Sequence, residues 1–193
     1  GKLGNGASHD DGIYVLIKEV IDNAIDEFTM GYGKTIEVTV DFAGKKVTIR
    51  DYGRGIPFGS LVTAVSRLNT GGKYDNKVFQ KSIGLNGVGT KAVNALSSHF
   101  RIQSVRDGQT KIAIFAEGKL IEESDIQPST EENGTMVEFV PDAKCFGDYH
   151  FINDYIEKSI WNYAYLNCGL VLSLNGIEYK SESGLLDLLS AEV

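Results

Sequence analysis

The chain has 193 residues, 42% hydrophobic and 23% charged, with a formal net charge of −7. That is enough to bury one core, and too acidic for a surface built mainly to hold nucleic acid or anionic lipid. No stretch approaches the ~20 apolar residues of a membrane span, and the opening GKLGNGASHDDG lacks the layout of a secretion signal, so one cytosolic domain over residues 1–193 is expected.

Cys145 and Cys168 stand far apart, and His9, His99 and His150 keep no ligand spacing with them. Two buried, reduced thiols are expected, and no zinc site.

The first periodic segment predicts a helix over Ile13–Phe28, after Ser8, His9, Asp10 and Asp11 as possible caps. At ~100° per residue, Ile13, Leu16, Ile17, Val20, Ala24 and Phe28 form one apolar arc, with Ile21 and Ile25 at its edge. Glu19, Asn23 and Asp26 share a flank of that arc, whereas Glu27 projects almost into its middle.

A carboxylate at Glu27 is therefore largely removed from water and requires a cationic or hydrogen-bonding partner, for which Arg54 is the candidate. The helix also ends in Asp26 and Glu27 against its own dipole, and Asp22 repels Asp26 at i,i+4, so helix stability does not account for these acids. A solvated acidic face is the plain alternative for EVIDNAIDE. Glu19 with Asn23 one turn later suits a magnesium–phosphate site: Asn23 offers the ion a hard, neutral oxygen, and Glu19 serves as general base.

Strands are predicted at Thr35–Phe42 and Lys46–Asp51 around the turn-like Ala43-Gly44. The second runs into Asp51-Tyr52-Gly53-Arg54-Gly55-Ile56-Pro57, where glycines at alternate positions let backbone approach a flat ligand. A carboxylate held there can accept a hydrogen bond from an exocyclic amine such as that of adenine, though an ordinary Asx turn reads the same.

A short helix is predicted near Ser60–Leu68, and the glycine- and lysine-rich stretch Asn69–Ser82 has the composition of a lid. Gly84-Leu85-Asn86-Gly87-Val88-Gly89 then opens a helix running to about Ser97, so that backbone amides lead into a helix N-terminus and can cradle phosphate, or simply make a turn. Thr90-Lys91 inverts the order a P-loop demands. Gly87, Gly89 and Ala92, with Asp107, also fit a dinucleotide fingerprint, but Val78–Ser82 is a poor strand to precede one.

Strands at Arg101–Val105, Thr110–Glu117, Lys119–Glu123 and Thr135–Val140 follow, then a helix near Tyr149–Asn167, a strand pair across Asn175-Gly176 and a helix at Leu185–Ser190. Helices and antiparallel strands in separate runs predict an α+β two-layer sandwich, a mixed, mostly antiparallel sheet covered by helices.

EVIDNAIDE at 19–27, DYGRGIP at 51–57 and GLNGVGTKAVNALS at 84–97, with TGGKYD at 70–75 and GTMVEFVPD at 134–142, resemble the nucleotide-binding domain of the GHKL superfamily. The resemblance is greatest to the B subunits of bacterial type II topoisomerases, and the loop wording lies nearer topoisomerase IV than gyrase.

It implies ATP and Mg²⁺ as cofactors, with Glu19 as general base, Asn23 on the metal and phosphates, and Asp51 on the adenine amine. Thr135 would assist Asp51 through a shared water, and Arg54 would pair with Glu27 beside the pocket. Lys73, within a lid at about 69–90, would hold the phosphates together with Gly84, Leu85, Asn86, Gly87, Val88, Gly89 and Thr90.

Gly55, Ile56 and Pro57 would complete the adenine pocket, which is expected to accept small-molecule inhibitors. The topoisomerase A subunit and duplex DNA would be reached through other parts of a longer protein. An N-terminal arm and a transducer domain are expected to be missing, which makes the fragment a monomer of low ATPase activity.

Asn86 and Tyr52 depart from the residues usual at their positions. A MutL-type repair protein, a heat-shock chaperone or a non-catalytic nucleotide sensor are the alternatives.

Overall fold

The computed structural model describes residues 9–66 and 89–191, with side chains from Gly12 onward. The predicted lid and phosphate loop as far as Val88, including Lys73 and Gly84 to Val88, lie outside the described residues.

Helix α1 (His9–Thr29) lays Leu16, Ile17, Val20, Ile21 and Ala24 against the sheet, each at most 4% exposed. Every such side chain fully withdrawn from water contributes roughly 1.5–3 kcal/mol. Ile21, expected at the edge of the apolar arc, is fully buried. The reason is a second helix, α5 (Asn153–Leu166), packed along α1: Tyr163 donates its hydroxyl to Asp22 at 3.0 Å, and Tyr155 meets Tyr14 edge-on at 5.7 Å. Asp22 also accepts Lys18 at 2.7 Å, so one of the acids left unexplained by helix stability pins two helices together.

Strands β1 (Thr35–Asp41) and β2 (Lys46–Asp51) form an antiparallel hairpin with Ile36 opposite Asp51. Its turn spans Phe42–Lys45, with Lys45 carrying the positive φ of 56°. A 3₁₀ turn (Phe58–Ser60) leads into α2 (Leu61–Val65), shorter than predicted because Ser66 is already extended.

Helix α3 (Gly89–Ala95) gives way directly to β3 (Ser97–Arg106), four residues earlier than the composition of Ser-Ser-His suggests. Ser97 bonds back to the Val93 carbonyl at 2.6 Å, and the pairing register shifts between Ser97 and His99, so a helix end and a bulge share one residue.

Strands β4 (Gln109–Ala116), β5 (Lys119–Glu123), the two-residue β6 (Gln127–Pro128) and β7 (Gly134–Pro141) extend the sheet. After β7 come the short α4 (Ala143–Phe146), then α5, β8 (Val171–Leu174), β9 (Ile177–Tyr179) and α6 (Leu185–Ala191).

The order across the nine described strands is β5-β4-β3-β7-β2-β1-β8-β9, with β6 on β4. The pairing is antiparallel throughout except where β1 runs parallel to β8. This is the expected α+β sandwich.

The long helix α5 starts four residues later than its sequence pattern predicts. Tyr149 and Phe151 are buried in an extended approach to it, where the Tyr149 hydroxyl donates to the Pro141 carbonyl at 2.6 Å. The expectation of buried thiols is also wrong. Cys145 and Cys168 are both exposed and free: the first sits on the surface of α4, and the second donates to the Glu182 carbonyl.

Candidate functional site between the first helix and the sheet

Period-two alternation places the central feature of the site. In β2 the buried positions are Val47, Ile49 and Asp51, so Asp51 occupies the core-facing phase of its strand with only 9% exposure. Burial pushes its carboxyl up to about 6, with the Glu27 charge adding to the rise; backbone N–H donation from Gly53 and Thr135 and the Arg50 charge hold it down. Gly53 and Thr135 donate to the same oxygen, Oδ1, at 2.9 and 3.2 Å. Oδ2 has no hydrogen-bond partner among the described residues.

Asp51 stands at one end of a cavity of about 230 Å³ lined by Val20, Asn23, Ala24, Asp26, Glu27 and Met30 from α1 and Ile49, Ile102, Thr135 and Val137 from the sheet. Ile56, Ala64, Val65 and Thr90 close the remaining sides. An apolar slot with a few converging polar groups is the usual form of a small-molecule site.

At the other end α1 meets the start of α3. A side-chain carbon at Gly89 would run into the Glu19 carboxylate, so this close approach requires glycine. Asn23 donates its amide to the hydroxyl of the buried Thr90. Burial, reinforced by Asp22, raises the Glu19 carboxyl, and burial with Asp22 and Glu27 does the same for Asp26.

No group of three or more His, Cys, Asp or Glu side chains is arranged to hold a metal among the described residues. A magnesium ion shared with substrate phosphates asks for less, one or two protein oxygens with phosphate and water supplying the rest. The Asn23 amide oxygen, on the same helix one turn after the Glu19 carboxylate, has that chemistry, so the residues present fit it.

Arg54 pairs with Glu27 at 3.0 Å and stacks over the Tyr32 ring at 4.5 Å, outside the cavity wall. The Glu27 side chain is 19% exposed, in keeping with its place near the middle of the apolar arc. Gly55 and Pro57 shape the turn without lining the cavity.

Several residues around the pocket escaped the sequence reading. Arg106 reaches back from the end of β3 to the Gly55 carbonyl at 2.6 Å, and Ser104 donates to the Ile56 carbonyl at 2.6 Å. For Ser104 strand phase was the available signal, since it continues the inward series Phe100, Ile102.

The fold and this pocket define a class, and residues 8–144 match the family described as histidine kinase-, DNA gyrase B- and HSP90-like ATPases. The chain belongs to that ATPase family.

Among individual relatives, it is 51% identical over its whole length to the DNA topoisomerase 4 B subunit of Borreliella burgdorferi, covering 32% of that protein. It is 34% identical to the type 2 topoisomerase B subunit of Aquifex aeolicus, with 92% of this chain and 24% of the relative covered. The structure overlays on the 43K ATPase domain of Thermus thermophilus gyrase B, solved in complex with an aminocoumarin. That match has a TM-score of 0.74 and 30% identity, and covers 95% of this chain and 50% of that one. The chain thus spans a quarter to a third of the length of the named full-length relatives.

Proposed function

We propose that this chain is a single ATPase domain that binds ATP in the α1–sheet cavity and hydrolyses it, within a longer type II topoisomerase B subunit of the topoisomerase IV kind. The observation that carries the reading is Asp51, a carboxylate in a core-facing strand position with one oxygen saturated by backbone N–H groups and the other unshared.

The Asp51 Oδ2 accepts the exocyclic amine of adenine, a charge-assisted bond worth about twice a neutral one. Thr135 assists it, and Ile49, Ile56, Ile102 and Val137 sandwich the base. Gly55 and Pro57 set the turn that closes this end, and the Arg54–Glu27 pair keeps the Glu27 charge from standing uncompensated beside the base.

At the far end Asn23 binds Mg²⁺, which supplies charge neutralisation at the phosphates. Gly89 and Thr90 start α3; with Lys73 and Gly84, Leu85, Asn86, Gly87 and Val88 they hold the phosphates. Glu19 takes a proton from water as the water oxygen bonds to the terminal phosphorus and the bond to the bridging oxygen breaks. The raised basicity of Glu19 suits that task at neutral pH.

In the longer protein, turnover drives passage of one DNA duplex through another together with the A subunit, in the cytoplasm. The net charge of −7 favours DNA contact through other parts of that protein, and no helix among the described residues is long and apolar enough to cross a membrane. The cavity is a site for small inhibitors, a reading supported by the relative whose ATPase domain was solved in complex with an aminocoumarin.

Glu19→Gln and Asp51→Asn test the two ends separately. Glu19→Gln should retain nucleotide and lose roughly 10²–10⁴-fold in turnover, whereas Asp51→Asn should lose nucleotide. A Glu19→Gln variant with normal turnover would remove Glu19 as the base.

A further inference from the structure

Arg50 lies on the β2 face opposite the cavity, one residue before Asp51, yet its guanidinium is aimed at backbone. Nη1 donates to the Asp51 carbonyl at 2.7 Å and to the Asn133 carbonyl at 3.4 Å, and Nη2 donates to the Glu132 carbonyl at 2.6 Å. The planar group rests over the Tyr52 ring at 4.3 Å, and the Tyr52 hydroxyl donates to Glu37 on β1 at 2.5 Å.

The Glu132–Gly134 turn is thereby fastened to β2. Gly134, with φ of 147°, has no room for a side-chain carbon, which would strike both the Arg50 Nη1 and the Asp51 carbonyl oxygen. The turn is tied on its other side where Asn133 Oδ1 accepts the Asp107 N–H at 2.9 Å and Glu131 accepts Gln103 at 3.1 Å. The next residue is Thr135, whose N–H reaches Asp51 Oδ1.

We infer that Arg50, seated on Tyr52, is a positioning residue for the adenine end of the pocket: it clamps the Glu132–Gly134 turn so that the Thr135 N–H fixes Asp51 Oδ1 and leaves Oδ2 turned to the ligand. The inference rests on the reading of Asp51 given above. A forked guanidinium suits it because three carbonyls on two segments must be met in one plane, which an ammonium cannot do.

Of the charged groups that the surrounding elements carry around Asp51, Glu27 raises its carboxyl and Arg50 lowers it. Glu27 and Asp26 come from α1, Arg50 from β2 itself, Arg54 and Arg106 from the two sides of the glycine turn, and Glu132 from the clamped turn. Removing Arg50 takes away a charge that itself holds the Asp51 carboxyl down, and freeing the turn removes the Thr135 N–H donor as well. The loss therefore shows in the pH profile as well as in affinity, and the Thr135 amide separates the two causes.

The test titrates a non-hydrolysable ATP analogue into the 193-residue chain between pH 5 and 8, for wild type, Arg50→Met, Tyr52→Ala and Asp51→Asn, and follows hydrogen exchange at the Thr135 amide. Arg50→Met is expected to bind about tenfold more weakly at pH 7.5. Its pH of half-maximal affinity should lie about one unit higher, and its Thr135 amide should exchange faster. Tyr52→Ala should move all three in the same direction by less.

Wild-type affinity and midpoint in Arg50→Met would overturn the inference. So would an equal loss at every pH with the Thr135 amide still protected, the mark of a purely structural role. Should Arg50→Met not fold, unaltered behaviour of Tyr52→Ala overturns it. Undiminished binding by Asp51→Asn would instead remove the adenine assignment, while the exchange of the Thr135 amide still decides the clamp.

Discussion

Asp51→Asn should make the protein more stable while removing its ligand. The Asp51 carboxyl is carried by burial from its ordinary 3.8 to about 6, so between those values the folded state binds more protons than the unfolded one, and stability falls as pH rises through that window. Integrated, the burden is about 1 kcal/mol near pH 4.5 and about 3 kcal/mol near pH 7.5, and it vanishes below the unfolded value.

Asparagine keeps an oxygen for the Gly53 and Thr135 N–H groups and drops the charge. At about 2–4 °C per kcal/mol for a chain of this size, the variant should melt ~6–12 °C above wild type at pH 7.5, and the gap should narrow to a third at pH 4.5. Its amide N–H₂ then faces the cavity, a donor where an amine ligand needs an acceptor, so nucleotide should no longer raise its melting temperature. Thermal unfolding by circular dichroism at both pH values, with and without nucleotide, measures this. A variant no more stable than wild type at pH 7.5, or a gap that widens toward acid, would refute the electrostatic reasoning.

Gly89→Ala forces a methyl against the Glu19 carboxylate and should reduce ATP turnover at least tenfold with the fold intact by circular dichroism; a wild-type rate would show that Glu19 need not sit there. Tyr163→Phe deletes the hydroxyl that α5 donates to Asp22 and should cost about 1 kcal/mol in urea unfolding without altering nucleotide affinity. Arg54→Ala leaves Glu27 unpaired at the cavity wall and should weaken nucleotide binding severalfold, as measured by calorimetry, with the deficit smaller at high salt.

Much of this architecture was legible because the local signals agree. The apolar arc of α1, the alternation in β1 and β2, and the Glu27–Arg54 pairing all follow from periodicity and from the cost of burying a charge. What stayed hidden depends on contacts between distant segments.

The burial of Ile21 needs α5, and the early start of β3 needs a serine that ends a helix and opens a bulge. Asp142 caps α4 by accepting the Lys144 N–H at 3.0 Å, too short a helix for periodicity to show. At the site, Asp51 was found through its glycine turn, although its phase with Val47 and Ile49 marks it more strongly. Arg50 and Arg106 act on backbone carbonyls from other segments, which no spacing in their own strands reveals.

If Asp51 reads adenine, the pocket discriminates between purines by their exocyclic group. Calorimetric titration of the wild-type chain with non-hydrolysable ATP and GTP analogues tests it most directly, since guanine carries a carbonyl where adenine carries its amine. The ATP analogue should bind at least ~100-fold more tightly than the GTP analogue, as expected when a buried carboxylate meets an acceptor in place of a donor. Equal affinity for the two would contradict the assignment.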